Sequence, residues 1–78
     1  MAQDEIITAV MRLTDELGLK VGDRYPVTTV QKHFKGRYEK LDVRAAIDDM
    51  LGRRWAETDG LGFNLTKSGD EERARRRA

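Results

Sequence analysis

Seventy-eight residues with no cysteine, one proline and nearly equal shares of hydrophobic (38%) and charged (37%) residues leave room for one small domain and exclude a second. Lys and Arg number 15 against 14 Asp and Glu, a formal net charge of +1 with His33 neutral, so total charge selects no partner and its distribution has to decide. The lack of cysteine fits a reducing compartment and excludes thiolate zinc sites, redox motifs and cysteine nucleophiles.

A chain this short buries only about 60% of its unfolded surface, which commits nearly every large apolar residue to one core. No apolar run approaches the roughly 18 residues of a membrane helix. The start, Met1-Ala2-Gln3-Asp4-Glu5, lacks the basic and apolar regions of a signal peptide. The expected location is the cytoplasm, with no membrane partner.

Ile6, Val10, Leu13 and Leu17, widened by Ile7 and Met11, form the apolar stripe of a first amphipathic helix. Asp4 and Glu5 suit its positive end, and Gly18 offers a positive-φ residue just past it. Leu19 to Val27 reads as a connection, with a turn at Gly22-Asp23 and a short extended piece at Tyr25-Pro26-Val27, because proline disfavours helical backbone in the residue before it. Thr28 and Gln31 match a capping box for a second, two-turn helix that carries Val30 and Phe34 and stops at Gly36. Asp42 is the expected N-cap of a third helix, with Leu41 and Ala46 as a hydrophobic staple and Val43, Ala46, Ile47, Met50 and Leu51 facing inward. Two strand-like runs, Trp55-Ala56-Glu57-Thr58 and Phe63-Asn64-Leu65-Thr66, flank Asp59-Gly60-Leu61-Gly62 and predict a β-hairpin. Residues 67–78 hold no large apolar side chain; the pairs Glu71–Arg75 and Glu72–Arg76 support one or two helical turns followed by fraying.

Catalytic and metal-binding constellations are missing from this pattern. Ser68 is the sole serine and His33 the sole histidine, and they fall in different elements with no nucleophile motif around either. Asp48-Asp49 and Asp70-Glu71-Glu72 lack calcium-loop spacing and have no histidine pair for zinc. Gly60-Leu61-Gly62 is too short for a dinucleotide or phosphate-loop fingerprint. The expectation is a non-enzymatic protein without metal or cofactor.

Helix, extended piece, helix, tight link, helix, hairpin is the element order of the winged helix-turn-helix. Residues 6–69 resemble that family: Ile47, Met50 and Trp55 are similar to the apolar positions where its third helix turns into the wing. Leu65-Thr66-Lys67-Ser68-Gly69 is similar to the signature that closes the wing in small bacterial winged-helix regulators. The resemblance implies an α+β fold of three helices with a two- or three-stranded β-wing over residues 1–69, and a charged tail over 70–78. Arg54 stands where the family has glycine, and the wing tip carries no Lys or Arg.

What the resemblance implies for function is transcription regulation through double-stranded DNA, with the third helix in the major groove and phosphate contacts from the second helix and wing. Charge is distributed in partial agreement: residues 20–40 hold six bases and two acids, whereas 1–19 and 41–60 are net acidic. Lys32, Lys35, Arg37 and Lys40, beside His33 and Tyr38, are therefore the candidate phosphate contacts, and Arg44 the candidate nearest the bases. Asp48 and Asp49 occupy the middle of the outward face of the third helix, where they repel phosphate. This leaves a second possibility, a winged-helix module that contacts protein instead of DNA through Asp48 and Asp49 or through the wing around Leu61. The tail arginines Arg73, Arg75, Arg76 and Arg77 read either as a solvated cluster or as an arm for phosphate or an acidic protein. With no long dimerisation helix, a monomer or a weak homodimer through the first helix is expected.

Overall fold

A computed structural model describes residues 2–77. Four helices and a three-stranded antiparallel sheet follow the order α1 (Ala2–Glu16), β1 (Tyr25–Pro26), α2 (Val27–His33), α3 (Lys40–Gly52), β2 (Ala56–Thr58), β3 (Gly62–Leu65) and α4 (Lys67–Arg76). The α+β class, the hairpin and the third short strand thus appear as expected from sequence, with β3 in the middle of the sheet order β1-β3-β2. Pairing runs Tyr25 with Phe63 and Pro26 with Gly62 on one edge, and Ala56 with Leu65, Glu57 with Asn64 and Thr58 with Phe63 on the other.

One core joins the elements. Ile6, Ile7, Val10, Met11 and Leu13 of α1 meet Val27, Val30 and Phe34 from the α2 region, Val43, Ala46, Ile47 and Met50 of α3, and Ala56, Phe63 and Leu65 of the hairpin. Full burial of each larger side chain contributes about 1.5–3 kcal/mol, which is why the periodic stripes dictate the packing. The inward face of α3 matches its stripe, except that Leu51 is only partly buried. Leu17, placed in the α1 stripe by its spacing, is 47% exposed instead. It lies past the last helical residue, where the chain turns through Gly18 at φ 71° and the 3.6-residue repeat no longer sets direction.

Two helix starts differ from the sequence expectation. α2 begins at Val27 with Pro26 as its cap and no side-chain cap hydrogen bond, so the Thr28–Gln31 capping box does not form. The Val27 amide, which leads this helix, donates instead to the Leu61 carbonyl at 3.4 Å, tying the helix start to the sheet. The helix also ends at His33, before Gly36. α3 begins at Lys40, with Glu39 as cap and no side-chain bond, so its cap lies three residues ahead of the expected Asp42. Leu41 is 81% exposed and makes no staple. Asp42 stays in the first turn, where it still complements the helix dipole.

The largest difference is at the C-terminus. In place of one or two turns, residues 67–76 form a fourth helix capped by Thr66, whose side-chain oxygen accepts from the Gly69 amide at 3.1 Å. Gly69 is buried against the chain at Trp55: a Cβ there would lie 1.8 Å from the Trp55 carbonyl oxygen, so only glycine allows this approach. Trp55 is partly buried and packs against the edge of the core. Its ring is flanked by the guanidinium groups of Arg53 and Arg76, at 5.0 and 5.3 Å from the ring centroid, a cation–π arrangement.

Candidate nucleic-acid interface

The cationic segment folds onto one side of the molecule. Lys32 sits on α2, Lys35 and Arg37 in the turn that follows, and Lys40 opens α3; all four are exposed. Together they line an open concavity of about 500 Å³ that also takes in Gln31 and Tyr38. The Gln31 side-chain amide donates to the Lys40 carbonyl at 3.1 Å, which fixes the start of α3 beside α2. The Arg37 guanidinium lies 5.4 Å from the Tyr38 ring centroid, and Tyr38 packs in turn on Phe34 at 5.4 Å. A link of mixed polarity is thereby held to the core by its aromatic residue while its cations face solvent.

None of these four cations forms a salt bridge among the described residues. Glu5, Glu39 and Asp42 border the same concavity, so its positive charge is partly offset without being neutralised by contact. His33, beside it, is exposed and meets Phe34 edge-on, with ring centroids 4.9 Å apart.

Arg44 lies on the outward face of α3, but its guanidinium is occupied: Nε is 3.4 Å from Asp48 Oδ1. Arg53 pairs likewise with Asp49 at 3.2 Å. Ala45, Asp48 and Gly52 are exposed and Asp49 half-buried, so the outward face of α3 is the one expected. Its acidity is largely compensated by these i,i+4 pairs, which sequence charge counts along the face do not reveal. Such exposed pairs are weak, typically below about 1 kcal/mol, and exchange readily for another partner.

The β2–β3 turn is ordered by its own side chains. Asp59 accepts from the amides of Leu61 (3.2 Å) and Gly62 (3.1 Å), and the Gly62 amide, followed by that of Leu61, holds its carboxyl below the ordinary carboxylate range. The Thr58 hydroxyl donates to the Gly62 carbonyl at 2.7 Å and accepts from the Gly60 amide at 3.0 Å. Arg24, which sequence reading did not assign to the hairpin, pairs with Asp59 at 3.0 Å. The signal was indirect: only the pairing of Tyr25 with Phe63 brings residue 24 to the tip. Leu61 is left 76% exposed.

Of the tail arginines, Arg73 and Arg76 are drawn into the fold, while Arg75 and Arg77 stay exposed in salt bridges. Arg73 is only 6% exposed and donates to the Leu19 carbonyl (2.7 Å), the Thr14 hydroxyl (3.3 Å) and Asp70 (2.7 Å). Arg76 reaches Asp4 (2.9 Å), Thr8 (2.6 Å) and Glu72 (2.7 Å). Arg77 grips both oxygens of Asp15, at 2.8 and 2.6 Å, a bidentate geometry suited to guanidinium. The Asp4 carboxyl is held below its ordinary range by the hydrogen bond and charge of Arg76, and that of Asp15 by Arg77. Arg75, exposed, contacts Glu72. Three of the four arginines therefore join α4 to α1 and its C-terminal turn.

No protein-family model matches the chain, and neither the curated proteins nor the solved structures contain a significant match to it. The geometry of its surfaces consequently carries the functional reading.

Proposed function

We propose that the chain is a small DNA-binding protein of the winged helix-turn-helix kind, with a regulatory role. In this reading α2, the link and α3 form the helix-turn-helix, and the β2–β3 hairpin is the wing. Lys32, Lys35, Arg37 and Lys40 take duplex phosphates, and Arg44 lies nearest the bases once it exchanges Asp48 for them. The observation that carries this is the set of four exposed cations, without salt bridges among the described residues, lining one concavity at the start of α3. Exposed cations that make no ion pair within the fold are free to neutralise phosphate.

The alternative of protein contact through Asp48 and Asp49 has less to recommend it, because with Arg44 and Arg53 beside them the face carries as many bases as acids. The exposed Leu61 is the feature in its favour, and single exposed leucines are common on monomeric proteins.

Titration of a generic 15-base-pair duplex against the protein and against a variant with all four cations replaced by Ala tests the proposal. The dependence of log K on log salt should flatten by about 0.9 for each phosphate that is no longer neutralised, while the far-ultraviolet circular dichroism stays the same. An unchanged slope removes the cluster from any interface, and no binding by the parent protein overturns the DNA reading.

A further inference from the structure

Five described residues have positive φ: Gly18, Gly22, Gly36, Gly60 and Arg54. Arg54, at φ 63°, is the one that carries a side chain into a backbone region that L-residues enter only at a cost. Its place in the fold makes a direct control available within the molecule. At the end of α3 the Arg54 amide donates to the Leu51 carbonyl (3.1 Å) and the Trp55 amide to that of Met50 (2.9 Å). At the end of α1 the Gly18 amide donates to the Asp15 carbonyl (3.0 Å) and the Leu19 amide to that of Thr14 (2.9 Å). The two helices close with the same pair of bonds, and one closes with the residue that does so without strain.

Nothing inside the fold uses the Arg54 side chain. Seven arginines (24, 44, 53, 73, 75, 76 and 77) form salt bridges, and Arg54, exposed, makes no side-chain hydrogen bond or salt bridge among the described residues. Only its backbone is engaged: its carbonyl accepts from the Thr66 hydroxyl at 2.6 Å. Lys67, which follows Thr66 in the chain and opens α4, is a second exposed cation without a salt-bridge partner among the described residues. An open concavity of about 570 Å³ is lined by Gly52, Arg54, Glu57 and Thr66 among others.

We infer that Arg54, assisted by Lys67, is a second phosphate contact, at the opposite end of α3 from Lys32, Lys35, Arg37 and Lys40. The inference rests on the DNA reading above and specifies how the duplex is held. Thirteen helical residues separate the two cationic ends, about 20 Å at 1.5 Å per residue. That exceeds the roughly 12 Å width of a major groove, so the two ends meet different phosphates and hold α3 at two points. A strained backbone retained with an exposed, unpaired guanidinium is the expected result when that group is needed by something outside the chain.

Arg54→Gly tests this with two readouts of opposite sign. Removing the strain should raise Tm by a few degrees, while affinity for the 15-base-pair duplex falls and the salt slope flattens by about 0.9. Arg54→Lys should keep most of the slope. If Arg54→Gly binds with the parent's affinity and slope while the four-Ala variant loses binding, the second contact is wrong and the DNA reading survives. If neither variant changes the binding, both fail. A fall in Tm on Arg54→Gly would remove the strain on which the inference depends.

Discussion

Two basic regions of this chain look alike in sequence and have opposite fates in the fold. Residues 32–40 and 73–77 each hold four cations, yet the first set stays exposed and without salt bridges while three of the second are spent on carboxylates, hydroxyls and a carbonyl of α1 and its C-terminal turn. The difference lies in the neighbours that the fold supplies. α4 has no large apolar residue to bury, so what attaches it is polar, and Asp4, Thr8, Thr14 and Asp15 on α1 provide the partners. Around the α2–α3 link, Tyr38 and Phe34 supply the attachment, which leaves the cations available. A cluster of arginines is thus a binding surface only if the rest of the chain lacks a use for it.

The sharpest way to break the comparison is to detach α4. Gly69→Ala places a Cβ where the Trp55 carbonyl already stands, and the shift it forces should cost about 3 kcal/mol or more, measured by urea denaturation. Arg73→Ala comes next, with an expected loss of about 2 kcal/mol, because the Leu19 carbonyl and Asp70 lose a buried charged donor. Its salt slope on DNA should equal that of the parent, the reverse of the four-Ala variant, whose exposed positions should each leave stability within about 0.5 kcal/mol. A flattened slope in Arg73→Ala would place the tail in the interface and erase the distinction between the two regions.

Acid should loosen α4 in a smaller, graded way. Asp4 and Asp15 are held below their ordinary value of 3.8, and Glu72 below 4.5, each by an arginine partner. A depressed folded-state pKa contributes stability that is complete above the unfolded value and is lost as pH falls through the folded one. Amide exchange in α4 should therefore accelerate as pH drops below about 4, relative to its own intrinsic rate, ahead of amides around Ile47 and Phe63. Simultaneous loss of protection in both would show that α4 and the core open together.

Much of the architecture was legible because it follows from local pattern. The stripe in α1, the inward face of α3, the glycine-rich hairpin and the extended Tyr25-Pro26 piece all rest on periodicity or turn chemistry, which neighbours in the chain determine. Helix starts were less legible: Thr28 and Asp42 are good caps in isolation, but hydrogen bonds with Leu61 and Gln31 accompany caps two and three residues earlier. At the candidate interface, the exposure of Lys32, Lys35, Arg37 and Lys40 agrees with a polar segment between apolar anchors. The pairing of Arg44 with Asp48 and of Arg24 with Asp59 was not anticipated, although the first needed only the i,i+4 rule.

By itself the sequence determined an α+β domain with one core and a single hairpin, since burial of a limited set of apolar residues admits few arrangements. Tertiary structure alone decided which charges are free. Whether an arginine faces solvent depends on acids far away in the chain, as Arg77 and Asp15 show across 62 positions, and no local pattern records that proximity. The same holds for Arg54, whose residue type is plain in the sequence but whose φ of 63° is imposed by the closure of α3 onto Trp55.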